Sequence, residues 1–375
     1  MKASSPRPRT RQGRSCGRLA TAWCLALAAI STFLPGAHAV TIDWVTVGDP
    51  GNQNDNQGYW GQNAGAVAES FQIMKYEFTN SQYAAFLNAV DPQGTNPNGI
   101  WNSSMGAAAR GGITNTGATD GSRYAVKSDM GNKPVNYVSW FDAARVANWL
   151  QNGGLTYGTS DASAGAPQNI GAYSVGTATG GGAVSRNPGV SFYLPTYEQW
   201  YKTAFYKGGG TNSGYWVWAT QSSGDAPPSS VTADAHGNGS AGNTGNTDNF
   251  NSTADWNGQD GNVTTVGTNG GPSAYGTFDQ GGNVGEWNDT AQAAWERGVA
   301  GGSFGAPFAN ILSSQTGGFY STNVEGDFLG FRLAAPVAVP VGVPEIDPAG
   351  FGSVAAILTG AIGLIERRRL KATAA

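Results

Sequence analysis

From Gly208 to about Gly330 the chain shows almost no helical pattern and contains no cysteine. Asn, Gly, Asp and isolated aromatics fill it instead, as in "TDNFNSTADWNGQDGN" and "GGNVGEWNDT". Irregular stretches of this length are uncommon in compact domains unless they are functional or cross-braced. The fold must therefore brace a loop-rich half, and by some means other than a disulfide. Sparse charge combined with 57 glycines points toward disorder. Twelve Trp and fourteen Tyr point the other way, because such side chains belong to packed cores.

The two ends carry separate signals. Lys2, Arg7, Arg9, Arg11, Arg14 and Arg18 precede an apolar run from Leu19 to Leu34 and then Ala37-His38-Ala39. A basic head, a short apolar middle and an A-x-A end predict a secretory signal peptide over 1–39, with a mature start at Val40. Both cysteines, Cys16 and Cys24, fall inside it. The mature chain thus enters a disulfide-permissive compartment without a thiol. At the other end "AGFGSVAAILTGAIGLI", residues 349–365, has no charge and is followed by Arg367, Arg368, Arg369 and Lys371. That reads as a marginal membrane span over 349–375 with a basic cytoplasmic stop. The Pro/Val-rich stretch 336–348 links it to a folded domain over 40–335.

Between Val40 and Val343 there are 11 Lys+Arg and 22 Asp+Glu. Such an acidic surface repels phosphate backbones, so nucleic acid is not an expected partner.

Three segments read as helices. "TNSQYAAFLNAV", "SWFDAARVANWL" and "TYEQWYKTAFY" open with Thr79, Ser139 and Thr196, followed three residues later by Gln82, Asp142 and Gln199. This is the spacing of a capping box, with Asp142 the irregular member. Apolar residues then recur at helical intervals. Gly153-Gly154 and Gly208-Gly209-Gly210 are the expected stops of the second and third. "SFQIMKYEF" and "VSFYLP" read as short strands, and 155–188 as a loop with a hairpin in it. The fold class is α+β with much irregular structure.

Chemistry is limited by what is missing. His236 is the one histidine after residue 39, in the loop-like "ADAHGNGSAG". A thiolate or a zinc or iron centre of ordinary type has no ligand set. "GGNVG" lacks the spacing of a dinucleotide loop, and no phosphate-binding P-loop occurs. Asp279, Glu286 and Asp289 could pair as glycosidase carboxylates only if they face one another. Calcium, which takes oxygens from Asp, Glu, Asn and carbonyls, suits 247–262 and 278–287, but so does an Asx-rich turn network. "DWNGQDG" is no EF-hand, since Gly258 comes early and Val266 stands at the closing position. Trp101, Trp216, Trp218, Trp256 and Trp295 are candidates for core packing or, where exposed, for stacking on sugars.

Several motifs occur together and in order: "KPVNYVSWFDAARVANWL", "FYLPTYEQWYKTAFYKGG", "VGTNGGPSAYGTFDQGGNVGEWNDT", "RGVAGGSF" and "GFRLA". This series resembles the formylglycine-generating enzyme, or sulfatase-modifying factor, family from about Glu69 to Ala334. The resemblance implies that family's fold, related to C-type lectins, with structural calcium. One ion is implied at the Asp279 side chain, the Gly282 and Val284 carbonyls and Glu286. A second is implied at Asn249, the Phe250 carbonyl, Asp260 and the Asn262 carbonyl. The oxidase members bind copper through two cysteines after the GGS motif. By spacing, Ala306 and Ile311 occupy those positions here, so copper is not expected and no catalytic residue carries over. Tyr193, Tyr197, Gly285 and Ala300 are further departures from the family pattern.

The tail "VPEIDPAGFGSVAAILTGAIGLIERRR" resembles a PEP-CTERM sorting signal, with Ile346 in place of the second proline. It implies exosortase processing and delivery to a bacterial surface or extracellular matrix. The combined expectation is a surface-sorted, calcium-braced, non-redox binding or structural module engaging peptide or exopolysaccharide. The alternative is a family oxidoreductase that modifies a client protein.

Overall fold

The computed structural model describes residues 40–56, 63–119, 121–154, 163–223, 227–307 and 317–337. The expected signal peptide, the expected sorting tail from residue 338 on, and Ile311 lie outside these residues. Among the described residues no helix is long and apolar enough to cross a membrane.

The elements run β1 (Trp44–Val47), β2 (Phe71–Met74), α1 (Asn80–Val90), α2 (Ser103–Ala107), β3 (Ile113–Asn115), β4 (Tyr124–Val126), α3 (Trp140–Gln151) and α4 (Tyr197–Phe205). Only strands follow among the described residues: β5 (Ser229–Ser230), β6 (Thr247–Asp248), β7 (Gly285–Trp287), β8 (Glu296–Ala300), β9 (Gly317–Ser321), β10 (Leu329–Phe331) and β11 (Ala334–Pro336). The architecture is the expected α+β with much irregular chain.

The helix starts follow from their capping residues. Thr79, Ser139 and Thr196 each accept the backbone N–H three residues on, and Gln82, Asp142 and Gln199 each return a bond to the cap N–H. Asp142 completes its box despite its shorter side chain, and the Ser139 hydroxyl also donates to its Oδ2 at 2.6 Å. The stops differ from expectation in one case. α3 ends at Asn152, just before Gly153 at φ 87°. α4 ends earlier than its glycines, because Tyr206 leaves the helix to bridge Tyr215. "VSFYLP" forms no strand of its own; Tyr193 makes a single antiparallel bridge to Ala334. The hairpin expected within 155–188 is likewise one bridge, Tyr173 to Arg186.

The strands form a three-stranded sheet, β1-β2-β11, and a four-stranded sheet, β10-β7-β8-β9. β7 lies parallel to β10 and antiparallel to β8. The main core gathers the inner faces of α1 and α3 with Phe71, Phe78, Trp140, Trp149, Trp287, Leu329 and Phe331. Phe78 stacks on Phe331 at 5.0 Å between centroids, tying the residue before the α1 cap to β10.

The brace demanded by the loop-rich half is a buried amide and carboxylate network. Asn249 Nδ2 donates to the Asn262 carbonyl (2.9 Å), Thr264 Oγ1 (3.0 Å) and Asn283 Oδ1 (3.2 Å). Asn283 Nδ2 donates to Glu77 Oε2 at 2.6 Å, and the Val284 N–H to Glu77 Oε1 at 3.1 Å. Each bond contributes about 1 kcal/mol net, but leaving such a group unpaired when buried costs more, so the network specifies one loop arrangement.

Candidate functional site

β7 separates two environments. Successive side chains of a strand point to opposite faces. Gly285 and Trp287 take one face, in register with Val299 of β8 at Trp287. Glu286 takes the other, where Arg332 closes on it. Trp287 is fully buried and anchored by Nε1 donating to the Val138 carbonyl at 2.9 Å.

On the Trp287 face the structure holds a cavity of about 450 Å³. Gly285 and Val299 contribute to its wall, as do Gly302, Ser303, Phe304, Gly305 and Ala306 of the "GGSFGA" segment. Ser252, Arg110, Tyr320, Asp327 and Phe328 complete it. A Cβ on Gly285 would lie 2.9 Å from Val299 Cγ1 and 3.4 Å from the Phe328 carbonyl oxygen, so any side chain there would crowd the wall. Ala306 is buried, and its carbonyl accepts the Asn251 N–H at 2.8 Å. The Ser252 N–H donates to the Phe304 carbonyl at 2.8 Å. These two bonds hold Asn251 and Ser252 at φ 59° and 51°, left-handed values that asparagine adopts readily and that cost serine about 1 kcal/mol. Ser252 is thus held in its place in the wall by the segment that follows β8.

Arg110 Nη1 pairs with Asp327 Oδ2 at 3.3 Å, both side chains being partly exposed. Arg110 also donates from Nε to the Gly261 carbonyl (3.0 Å) and from Nη2 to the Asp260 carbonyl (2.9 Å). Its guanidinium carbon lies 5.0 Å from the Phe304 ring centre. Sequence reasoning found Gly285 and Ala306 as family departures but missed Arg110, Ser252, Tyr320 and Asp327. These come from four separated loops and strands, and no local pattern marks them.

On the opposite face Glu286 is fully buried. Its Oε1 accepts Arg332 Nη2 at 2.6 Å; its Oε2 accepts Arg332 Nε at 2.6 Å and Trp200 Nε1 at 2.8 Å. Asp279 Oδ2 accepts the Gly267 N–H (2.5 Å) and Oδ1 accepts Asn269 Nδ2 (2.8 Å). The carboxylates of the first implied calcium set thus accept two hydrogen bonds at Asp279 and three at Glu286 from within the protein. Gly282 and Val284 lie between them in the same turn, with the Gly282 N–H donating to the Gly301 carbonyl at 2.7 Å.

The second set is split. Asn249, Phe250 and Asn262 are buried, whereas Asp260 is exposed. The three acceptors around Asn249 Nδ2 fix the amide orientation and leave its Oδ1 buried with no donor. That orphaned oxygen suits a cation. The local charge balance does too: Glu77, Asp248, Asp279 and Glu286 are all buried, and Arg332 offsets one of them. Burial, aided by Asp279 and Glu286, pushes the Glu77 carboxyl well above its usual range. Burial and then Asp279 do the same to Asp248. Burial pushes Asp279 up to about 6.

Among the described residues no three His, Cys, Asp or Glu side chains converge as a metal centre. His236 is 69% exposed in its side chain and meets Asp129 Oδ1 at 3.0 Å. Trp218 and Trp256 are buried, and Trp101 and Trp216 half-buried; Trp295 is 54% exposed.

Among curated proteins none matches the chain. Among solved structures, Treponema denticola variable protein 1 is 18% identical, with 80% of this chain and 97% of that one covered and a TM-score of 0.45. CarF is 22% identical, with 79% and 99% covered and a TM-score of 0.46. PvdO from Pseudomonas aeruginosa is 16% identical, with 80% and 93% covered and a TM-score of 0.41. The sulfatase-modifying factor enzyme 1-like domain matches residues 44–337, which takes in every described sheet and the cavity between "GGSFGA" and β9. The chain belongs to the sulfatase-modifying factor enzyme 1-like family.

Proposed function

We propose that the chain is a non-redox binding module of this family, exported, sorted to the cell surface or extracellular matrix, and braced by calcium. The observation that carries the reading is Ala306 in the cavity wall. The family's copper chemistry calls for a thiolate there, and alanine supplies neither ligand nor nucleophile. What the cavity offers is a set of hydroxyls, aromatic rings and one ion pair, which is binding chemistry.

Export and sorting are supported by the composition of 1–39 and 336–375, with their basic, apolar and A-x-A segments. Transient membrane attachment and exosortase processing follow from the same tail. Calcium is supported by the orphaned Asn249 Oδ1 and by the excess of buried acid around Glu77, Asp248 and Asp279. Bound there, it would supply an oxygen-seeking positive charge against that excess. Glu286 stays with Arg332.

Elemental analysis of the purified protein, combined with oxygen consumption in the presence of a cysteinyl peptide, tests the reading. Calcium without copper or iron, and no thiol-dependent oxygen uptake, is the expected result. Stoichiometric copper with oxygen uptake would refute it in favour of the oxidoreductase. A chelator should lower the melting temperature, since a ligand held at 100 times its Kd stabilises by about 2.7 kcal/mol. An unchanged melting curve would remove calcium from the account.

A further inference from the structure

We infer that the cavity beside Ala306 is a binding subsite for a neutral saccharide. This deepens the binding-module reading and rests on it.

The wall is electrically balanced. Arg110 and Asp327 are its charged side chains, and they face each other at 3.3 Å. An anionic ligand would have to approach Asp327, and a cationic one Arg110. Arg110 is not free to turn toward a carboxylate or phosphate, because Nε and Nη2 are committed to the Gly261 and Asp260 carbonyls. A ligand without net charge meets no such penalty.

The unspent hydrogen-bonding groups match a polyol. Asp327 uses Oδ2 for Arg110, while Oδ1 has no partner among the described residues. The hydroxyls of Ser252, Ser303 and Tyr320 have none either. A carboxylate oxygen only accepts, whereas a hydroxyl both donates and accepts. Vicinal sugar hydroxyls can serve both kinds of group at once.

The apolar part of the wall supplies the complementary surface. Tyr320 is 38% exposed and lies 6.0 Å from Phe328 between centroids. Phe304 is already covered by the Arg110 guanidinium, so Tyr320 and Phe328 remain as the aromatic surface for the C–H face of a pyranose. At about 450 Å³ the space is of small-ligand size.

Isothermal titration of the full chain with cellotetraose, maltotetraose and laminaritetraose tests the inference, beside tetragalacturonate and a cysteinyl peptide. At least one neutral tetrasaccharide should bind. Asp327→Asn and Tyr320→Ala should each weaken it by about tenfold or more, the scale of losing one well-placed contact. Both variants should keep the parent melting temperature, which thermal unfolding checks; Asp327→Asn loses only a partly exposed ion pair. Preference for tetragalacturonate, or binding of the peptide alone, would overturn the ligand class and leave the binding module standing. Binding by none of the probes, or neutral binding unaffected by both variants, would overturn the subsite. Thiol-dependent oxygen uptake would instead overturn the reading beneath it.

Discussion

Arg332→Met strips the guanidinium from a pair whose two side chains are wholly buried. Glu286 keeps one donor, Trp200 Nε1, and loses its counter-charge. Removing one partner of a buried ion pair costs about 3–5 kcal/mol, chiefly from the charge left behind. Arg332 also donates to the Phe278 carbonyl at 2.8 Å and the Met74 carbonyl at 3.2 Å. Losing these adds about 1 kcal/mol each. The single variant should therefore lose about 5 kcal/mol or more, a large share of the 5–15 kcal/mol typical of a domain. Glu286→Gln alone should lose about 3 kcal/mol, with Arg332 left uncompensated. The double variant removes both charges, so its loss should fall short of the sum by at least about 2 kcal/mol. Urea unfolding followed by tryptophan fluorescence, in excess calcium and in excess chelator, measures all four species. Because Glu286 is held by Arg332, its cost should be the same in both buffers. Additivity within about 0.5 kcal/mol would show that the pair is not coupled. A Glu286→Gln cost present only with calcium would show that the carboxylate serves the ion instead.

Three further outcomes are expected. Ser139→Ala breaks the α3 capping box and should cost about 1–2 kcal/mol, read from the urea midpoint; no shift would mean the box is idle. Gly282→Ala puts a Cβ 2.2 Å from the Asn249 carbonyl at φ 79°, so soluble yield and melting temperature should fall sharply, whereas a normal melt would refute the close approach. Burial pushes the Asp289 carboxyl up to about 6 from an ordinary 3.8, against the pull of Arg186 and Arg297. Between those values the folded protein holds a proton that the unfolded chain has released. Its contribution to stability is therefore complete below about 4 and falls as pH rises to about 6, by on the order of 3 kcal/mol. Asp289→Asn should flatten that part of the stability–pH curve, and an unchanged slope would count against it.

What was legible in the sequence was mostly what is local. Thr79–Gln82, Ser139–Asp142 and Thr196–Gln199 announce their helices because cap and partner lie within four residues. β2 was visible as "SFQIMKYEF", but its neighbour β11 lies some 260 residues later and carries no pairing signal. "VSFYLP" has strand composition and finds one bridge, since Pro195 and the α4 cap follow at once. Glu286 and Arg332 both stood out as motif letters. That each neutralises the other is a fact of proximity between β7 and the residue after β10. The resemblance assigns Glu286 to an ion, and the fold also brings the Arg332 guanidinium against it. The cavity was half legible: Ala306 and Gly285 could be named, but the Arg110–Asp327 pair joins residues 217 apart.

The same long spans bear on how the chain comes to be folded. Glu77 meets Asn283 across 206 residues, and Arg332 reaches Met74 across 258. The entropy of closing such loops grows only with the logarithm of their length, but folding slows as contacts become more distant in sequence. The network that orders the loop-rich half cannot close until residue 284 has been synthesised, nor the buried ion pair until residue 332. Until those residues emerge, the amides and carboxylates of the loop-rich half lack the partners that order them, so this half is the last to become fixed.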